Sequence, residues 1–252
     1  MAGGGRSDPG QAEGPDPVPP LLVACALGIE RLALRRGARR GADGPLTVLR
    51  TGMGPLAAER AVARALGAPG MAGAAVVATG FCAGLLPGMH PGDLVVAERT
   101  RDPRGEVVCD GTAALAEALA RAVPGRTVHT GVLTGSDHVV RGPERAALQA
   151  SGAIAVDMES AATLWTAVHT TTGPGAPAGH PAHPGPYTAG RHPAPYTPGR
   201  RPVAAVRVIV DAPEHELVRI GTVRGGISAF RVLRAVLPVF HDWHRSSLLP
   251  RR

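Results

Sequence analysis

Lysine is absent from this chain, and all 27 Lys and Arg positions are arginine. The arginines accompany abundant Ala, Gly and Pro, as a GC-rich coding bias would produce, so the net charge of +7 is a weak sign of a polyanion partner. They are also scattered, in small clusters such as Arg35-Arg36, Arg39-Arg40, Arg200-Arg201 and Arg251-Arg252. Aromatic residues make up only 3% of the chain, too few for a base-stacking platform. No nucleic-acid partner is therefore expected. Cysteine is equally sparse. Cys25, Cys82 and Cys109 are odd in number and lack C-x-x-C spacing, which excludes a disulfide framework and a zinc knuckle and fits a reducing, cytoplasmic setting. No stretch reaches the ~18–20 apolar residues of a membrane helix, so no stable membrane insertion is expected. Leu22-Val23-Ala24-Cys25 matches a lipoprotein box only by chance, because no apolar segment precedes it.

The sequence does contain enough apolar residue to fold. At 252 residues and 44% hydrophobic, it can bury one core built from Ala, Val, Leu and Gly without metal or disulfide staples. Residues 1–19, rich in Gly and Pro, read as a disordered leader, and 20–249 as one domain. Short continuous apolar runs at 21–27, 46–50, 74–78, 94–97, 127–133, 154–158 and 203–210 predict buried strands. Helical patterns fall at 29–36, 55–66, 113–122, 143–150, from 160 onward and at 227–241. Strands alternating with helices imply an α/β fold around a largely parallel sheet. Residues 171–202 break the rhythm with Gly, Pro, His and a repeated Pro-Tyr-Thr, and read as a low-complexity insertion forming a surface loop. Its His180, His183 and His192 suggest metal binding, but a biased linker explains them better.

Five local patterns carry chemistry. Gly52-Met53-Gly54-Pro55-Leu56-Ala57 fits G-x-G-x-x-A, yet no acid closes the next strand and Pro55 stands where backbone should meet a pyrophosphate. A dinucleotide cofactor is not expected. Thr79-Gly80-Phe81-Cys82-Ala83-Gly84-Leu85 puts small residues just after a buried strand, where backbone can approach a ligand, or where a plain tight turn would do. Asp157 and Glu159 flank Met158 where a strand turns into a helix; a helix cap explains them as readily as a site. Asp211 closes an apolar strand, at the end where such sheets bind ligands, or caps the residues that follow it. Arg207, inside that strand, must be paired, with Glu159 or Glu30 as the natural partner. Glu30, just after the first strand, has the alternative of an ordinary helix-face acid.

The order of these phrases resembles the purine nucleoside phosphorylase and uridine phosphorylase superfamily. T-G-M-G at 51, T-G-x-x-x-G-L at 79 followed by P-G-D-L-V-V at 91, V-D-M-E-S-A-A at 156 and V-R-x-I-x-D at 206 are modest singly and specific together. The likeness runs from 21 to 239, apart from the insertion, and is nearest the branch of methylthioadenosine/S-adenosylhomocysteine nucleosidase and the nucleosidases of hopanoid and menaquinone biosynthesis. It implies a three-layer α/β/α sandwich around a mixed, mostly parallel sheet, homodimers or higher homo-oligomers, a small-molecule nucleoside substrate, and neither cofactor nor metal. By position it makes Asp211 the acid that protonates the purine, and Glu159 the acid that holds the ribose hydroxyls over Met158. Glu30 becomes the acid that readies the attacking water, with Arg207 orienting these carboxylates, and Asp157, Gly80 and Phe81 are expected to line the substrate. The base-stacking aromatic falls at His138, in place of the usual Phe.

The nucleophile is the open point. Where phosphorylases of this kind carry an Arg and a Ser for phosphate, this chain has Ala78 and Phe81, which removes a cation and a hydroxyl from an anion site. Hydrolysis is therefore expected over phosphorolysis, in which phosphate would be a co-substrate. The expected substrate is a 5′-substituted adenosine such as adenosylhopane, methylthioadenosine or S-adenosylhomocysteine, with adenine released. A nucleoside-binding protein without turnover is the alternative from another class.

Overall fold

Leu21–Cys25 is buried at every position, and a strand covered on both faces needs helices on each side. The computed structural model describes residues 18–37, 45–170, 200–213 and 222–248. Within them lie β1 (Leu21–Cys25), α1 (Gly28–Gly37), β2 (Leu46–Arg50), α2 (Pro55–Leu66), β3 (Ala75–Gly84), β4 (Leu94–Asp102), β5 (Gly105–Val108) and α3 (Thr112–Ala122). β6 (Val128–Gly135), α4 (Pro143–Ala150), β7 (Ala153–Asp157), α5 (Ser160–His169), β8 (Val203–Asp211) and α6 (Thr222–Leu248) follow.

The expected mixed, mostly parallel sheet is present. β1 lies parallel to β2 and β3, β3 to β8, β4 to β6, and β6 to β7. β7 on β3, β5 on β4 and β8 on β4 are antiparallel. Because β8 bridges β3 and β4, strands β3, β7, β6, β4 and β8 close into a ring, which the alternation of strands and helices did not disclose. Strand alternation sends side chains to two cores. Leu21, Val23, Val77, Val206 and Val208 pack with α1, α3 and α6. Leu22, Ala24, Val76, Ala205 and Ile209 pack with the face covered by α2 and α5.

Two expectations need revising. The tight turn that was one alternative for the segment after residue 78 is absent: β3 continues through it to Gly84 because β8 and β7 supply partners for the backbone. β5, which follows a short turn after β4, was not anticipated; it pairs along the outer edge of β4. Residues 171–199 of the expected insertion and 1–17 of the expected leader lie outside the described residues. The last residues of the insertion belong to the folded core. Arg200 pairs with Asp110 at 2.7 Å, the buried Arg201 donates to the carbonyls of Met71 and Ala74, and Pro202 accepts from Val76. Among the described residues no helix is long and apolar enough to cross a membrane.

Candidate active site

Arg207 is buried in the middle of β8, on the face that α5 covers, with 1% of its side chain exposed. A guanidinium in that position requires acceptors, and the junction of β7 and α5 brings them. Its Nε donates to Ser160 Oγ at 2.8 Å, and Nη2 pairs with Asp157 Oδ2 at 2.5 Å. Nη1 stands 4.0 Å from Glu159 Oε2 and has no hydrogen bond of its own. The expected first partner of Arg207 was Glu159 or Glu30; the structure makes it Asp157, because β7 delivers that carboxylate directly onto β8's inward face. Asp157 also accepts from the Ser160 backbone N–H through both oxygens. The Asp157 carboxylate thus serves both Arg207 and the first backbone N–H of α5.

Glu159 is turned the other way. It occupies the N-cap position of α5 without capping it, and its Oε1 accepts from the Gly54 N–H at 2.8 Å. Gly54 is the N-cap of α2, with φ +87°, so this carboxylate sits against a helix N-terminus, where the dipole favours it. The T-G-M-G loop is knitted to the end of β1 by Thr51 and Gly52 N–H bonds to the Cys25 and Ala26 carbonyls. The pattern that mimics a pyrophosphate loop therefore holds a carboxylate of the same chain. Met158, between the two acids, is half-buried.

Glu30 approaches from the first turn of α1. Its Oε2 accepts from the Leu27 N–H and its Oε1 from the Phe81 N–H, both at 2.8 Å. The first bond is the return half of a capping box; the second crosses to β3 and has no part in capping the helix. Phe81 was expected to meet substrate. It contributes its backbone, while its ring packs on the opposite core, because Phe81 pairs with Val208 and so faces away from Arg207. Between them, Gly80 has φ +131°, and a Cβ there would lie 2.5 Å from Glu30 Oε1 and 2.7 Å from Arg207 Nη1. Gly80→Ala is therefore expected to push Glu30 off its two N–H donors. Turnover should fall at least about tenfold, with destabilisation of about 1–3 kcal/mol, read by initial rates and denaturant unfolding; an alanine variant with full activity would show that this contact is unimportant.

Burial dominates the electrostatics. It pushes the Glu30 carboxyl above its ordinary value, against the pull of Arg207 and the Leu27 and Phe81 N–H groups. It does the same for Glu159, opposed by Arg207 and reinforced by Asp157. Burial works against the Arg207 cation too, but Asp157, Glu159 and Glu30 outweigh it and hold the guanidinium above its usual value. Burial and the nearby Glu30 push the Cys25 thiol up to about 12, which leaves it unreactive.

Of the four charged groups expected to meet, Glu30, Glu159 and Arg207 do. Asp211 stands further along. It is four residues on from Arg207 in β8, at most about 13 Å at ordinary strand rise, beyond a bulge that sets Asp211 opposite Ala83. Its Oδ2 accepts from Arg145 Nη1 at 2.9 Å, and its Oδ1 is buried without a partner. The strand-end acid is thus ion-paired. His138, at the expected base-stacking position, is 58% exposed on its side chain, with Nδ1 2.6 Å from Asp137 and Nε2 3.0 Å from Glu144. The hydrogen bond to Asp137, and then Glu144, raise its pKa, and the two carboxylates take up the edge of its ring. A shallow hollow between α1 and α6, lined by Arg36, Gly37, Arg231, Arg234 and Ala235, includes none of these groups.

Ser160, the Gly54 N–H and Arg145 were not singled out in the sequence. Ser160 follows Glu159 directly and could have been found as the cap partner of Asp157; Arg145 lies in an ordinary polar helix and gave no signal.

The family model described as the phosphorylase superfamily matches residues 38–171, just over half the chain. No curated protein matches. Among solved structures, the 5′-methylthioadenosine/S-adenosylhomocysteine nucleosidase of Neisseria meningitidis, in complex with methylthio-immucillin-A, superposes with a TM-score of 0.64 at 20% identity, covering 88% of this chain and 99% of that one. The corresponding nucleosidase of S. pneumoniae, with the transition-state inhibitor MT-ImmA, gives 0.64 at 16%, covering 88% and 98%. Futalosine hydrolase of Helicobacter pylori gives 0.65 at 15%, covering 90% and 98%.

Proposed function

This chain belongs to the phosphorylase superfamily, and we propose that within it the chain is a nucleosidase, releasing adenine from a 5′-substituted adenosine by hydrolysis. The observation that carries hydrolysis is the place of Glu30. Its carboxylate fills the space beside Gly80 at the β3 segment where a phosphorylase would seat phosphate, and Ala78 and Phe81 offer no replacement cation or hydroxyl. An anion would be repelled there, whereas a water beside a carboxylate is readied for attack.

In this reading Glu159 takes the ribose hydroxyls over Met158, and Arg207 with Asp157 and Ser160 fixes the acids from behind. Breaking the bond builds positive charge on the sugar, as in other glycoside cleavages, and the cluster surrounds that charge with carboxylates. Asp211 hands a proton to the departing purine. The exposed Ile29 and Met53, beside the ends of β1 and β2, suit an apolar 5′ substituent, as in adenosylhopane or methylthioadenosine, over the charged homocysteine.

The test is incubation with methylthioadenosine, S-adenosylhomocysteine, adenosylhopane and futalosine, with and without phosphate, and assay for free base. Adenine release without phosphate is expected. Release only with phosphate would make the chain a phosphorylase; no base under any condition would leave a binding protein and overturn the proposal. A pH profile adds a second check. Glu30 must be ionised to take a proton from water, and burial raises its carboxyl, so kcat/KM should rise with pH through a limb above the ordinary glutamate value of 4.5. That limb should vanish in Glu30→Gln along with most of the rate; a limb retained in the variant would assign it elsewhere.

A further inference from the structure

Helix α4 has no buried residue, yet one of its side chains is driven inward. Arg145 is 11% exposed on its side chain; it donates through Nη1 to Asp211 Oδ2 and through Nη2 to the Gly84 carbonyl at 2.7 Å. Its Nε is buried without a partner. Desolvating a guanidinium costs several kcal/mol, more than an exposed helix needs for anchorage. The preceding residue, Glu144, holds His138, so the first turn of α4 grips both the end of β8 and the loop beside it.

We propose that Arg145 is a positioning residue for base release, fixing the Asp211 carboxyl so that only Oδ1 faces the leaving purine. This rests on the nucleosidase reading. Arg145, itself held by the Gly84 carbonyl, takes up Oδ2 of the carboxyl, and Oδ1 is left buried and unpartnered. A proton carried by Asp211 therefore sits on Oδ1. As the bond from C1′ to the purine nitrogen breaks, its electron pair passes into the base, the Oδ1–H bond breaks and the new N–H bond forms. The negative charge this leaves on Asp211 develops against a guanidinium already in place, which needs no reorganisation. Arg145 gives up no proton.

Arg145→Met, Arg145→Lys and Arg145→Ala test this with methylthioadenosine as substrate and free adenine as a calorimetric probe. Arg145→Met should lower kcat about 10²–10³-fold, as for other lost charge-stabilising donors, with KM changed less than about threefold. Adenine affinity should fall about tenfold for one lost orienting contact. Lysine should recover part of kcat, and ethylguanidinium added to the alanine variant should restore activity. A purely structural role predicts a lowered melting temperature with no rescue, and that result overturns the proposal. So does wild-type kcat and adenine affinity in Arg145→Met while the wild type releases base, leaving the nucleosidase reading intact. A wild type that neither releases base nor binds adenine overturns both.

Discussion

Asp211→Asn is expected to lower base release by about 10²–10⁴-fold, the range that general acid help supplies, while substrate binding changes little. Asparagine keeps the size of the side chain and can still accept from Arg145 through its carbonyl, but it has no acidic proton to give. The loss should therefore fall on kcat. Single-turnover rates separate this from slow product release, and binding of the uncleaved nucleoside by calorimetry should remain within about threefold of the wild type. If Asp211→Asn turns over normally, the proton comes from elsewhere and the role given to β8's end is wrong. A substrate whose base carries its own good leaving-group character should be less sensitive to the substitution, because it needs less protonation.

Arg207→Met should have the largest effect on stability. The guanidinium is buried against Asp157, with Glu159 and Glu30 close by. Removing it leaves a buried carboxylate without its cation, a loss of about 3–5 kcal/mol. For a chain of this size that corresponds to a melting-temperature drop of about 6–20 °C. Methionine fills a similar volume, so the loss reports charge more than cavity. Arg207→Met combined with Asp157→Asn should recover a good part of it, since the second change removes the stranded charge. A single variant that loses less than about 1 kcal/mol would show that the cluster is not held by this pair. Activity should fall in both variants, because Glu30 and Glu159 lose the cation that opposes the effect of their burial.

Much of this was legible in the chain because local signals coincided. Pro at the first helical position marks α2 and α4, and the apolar runs at β1, β2 and β8 bound strands almost to the residue. Acids placed just past strand ends flagged Glu30, Glu159 and Asp211. What misled was of one kind. A Gly-rich stretch after residue 78 looks like a turn until a partner strand is present; the G-x-G ahead of α2 did not mislead, because the acid a dinucleotide site needs is missing from the end of the next strand, and the fold puts Glu159 on the Gly54 N–H. His138 sits where a ring should stack, but the two carboxylates that take its edge are only apparent once α4 is folded back beside it.

By itself, the order of residues determined which segments become strands and helices, and which carboxylates stand at strand ends, because those depend on periodicity and on neighbours a few positions away. Pairing was decided by the tertiary structure alone. Asp157 rather than Glu159 became the closest partner of Arg207, and Arg145 came to hold Asp211, because a charge forced out of water takes whichever opposite group packing brings within reach, and that distance is set by strands and helices meeting from remote parts of the chain.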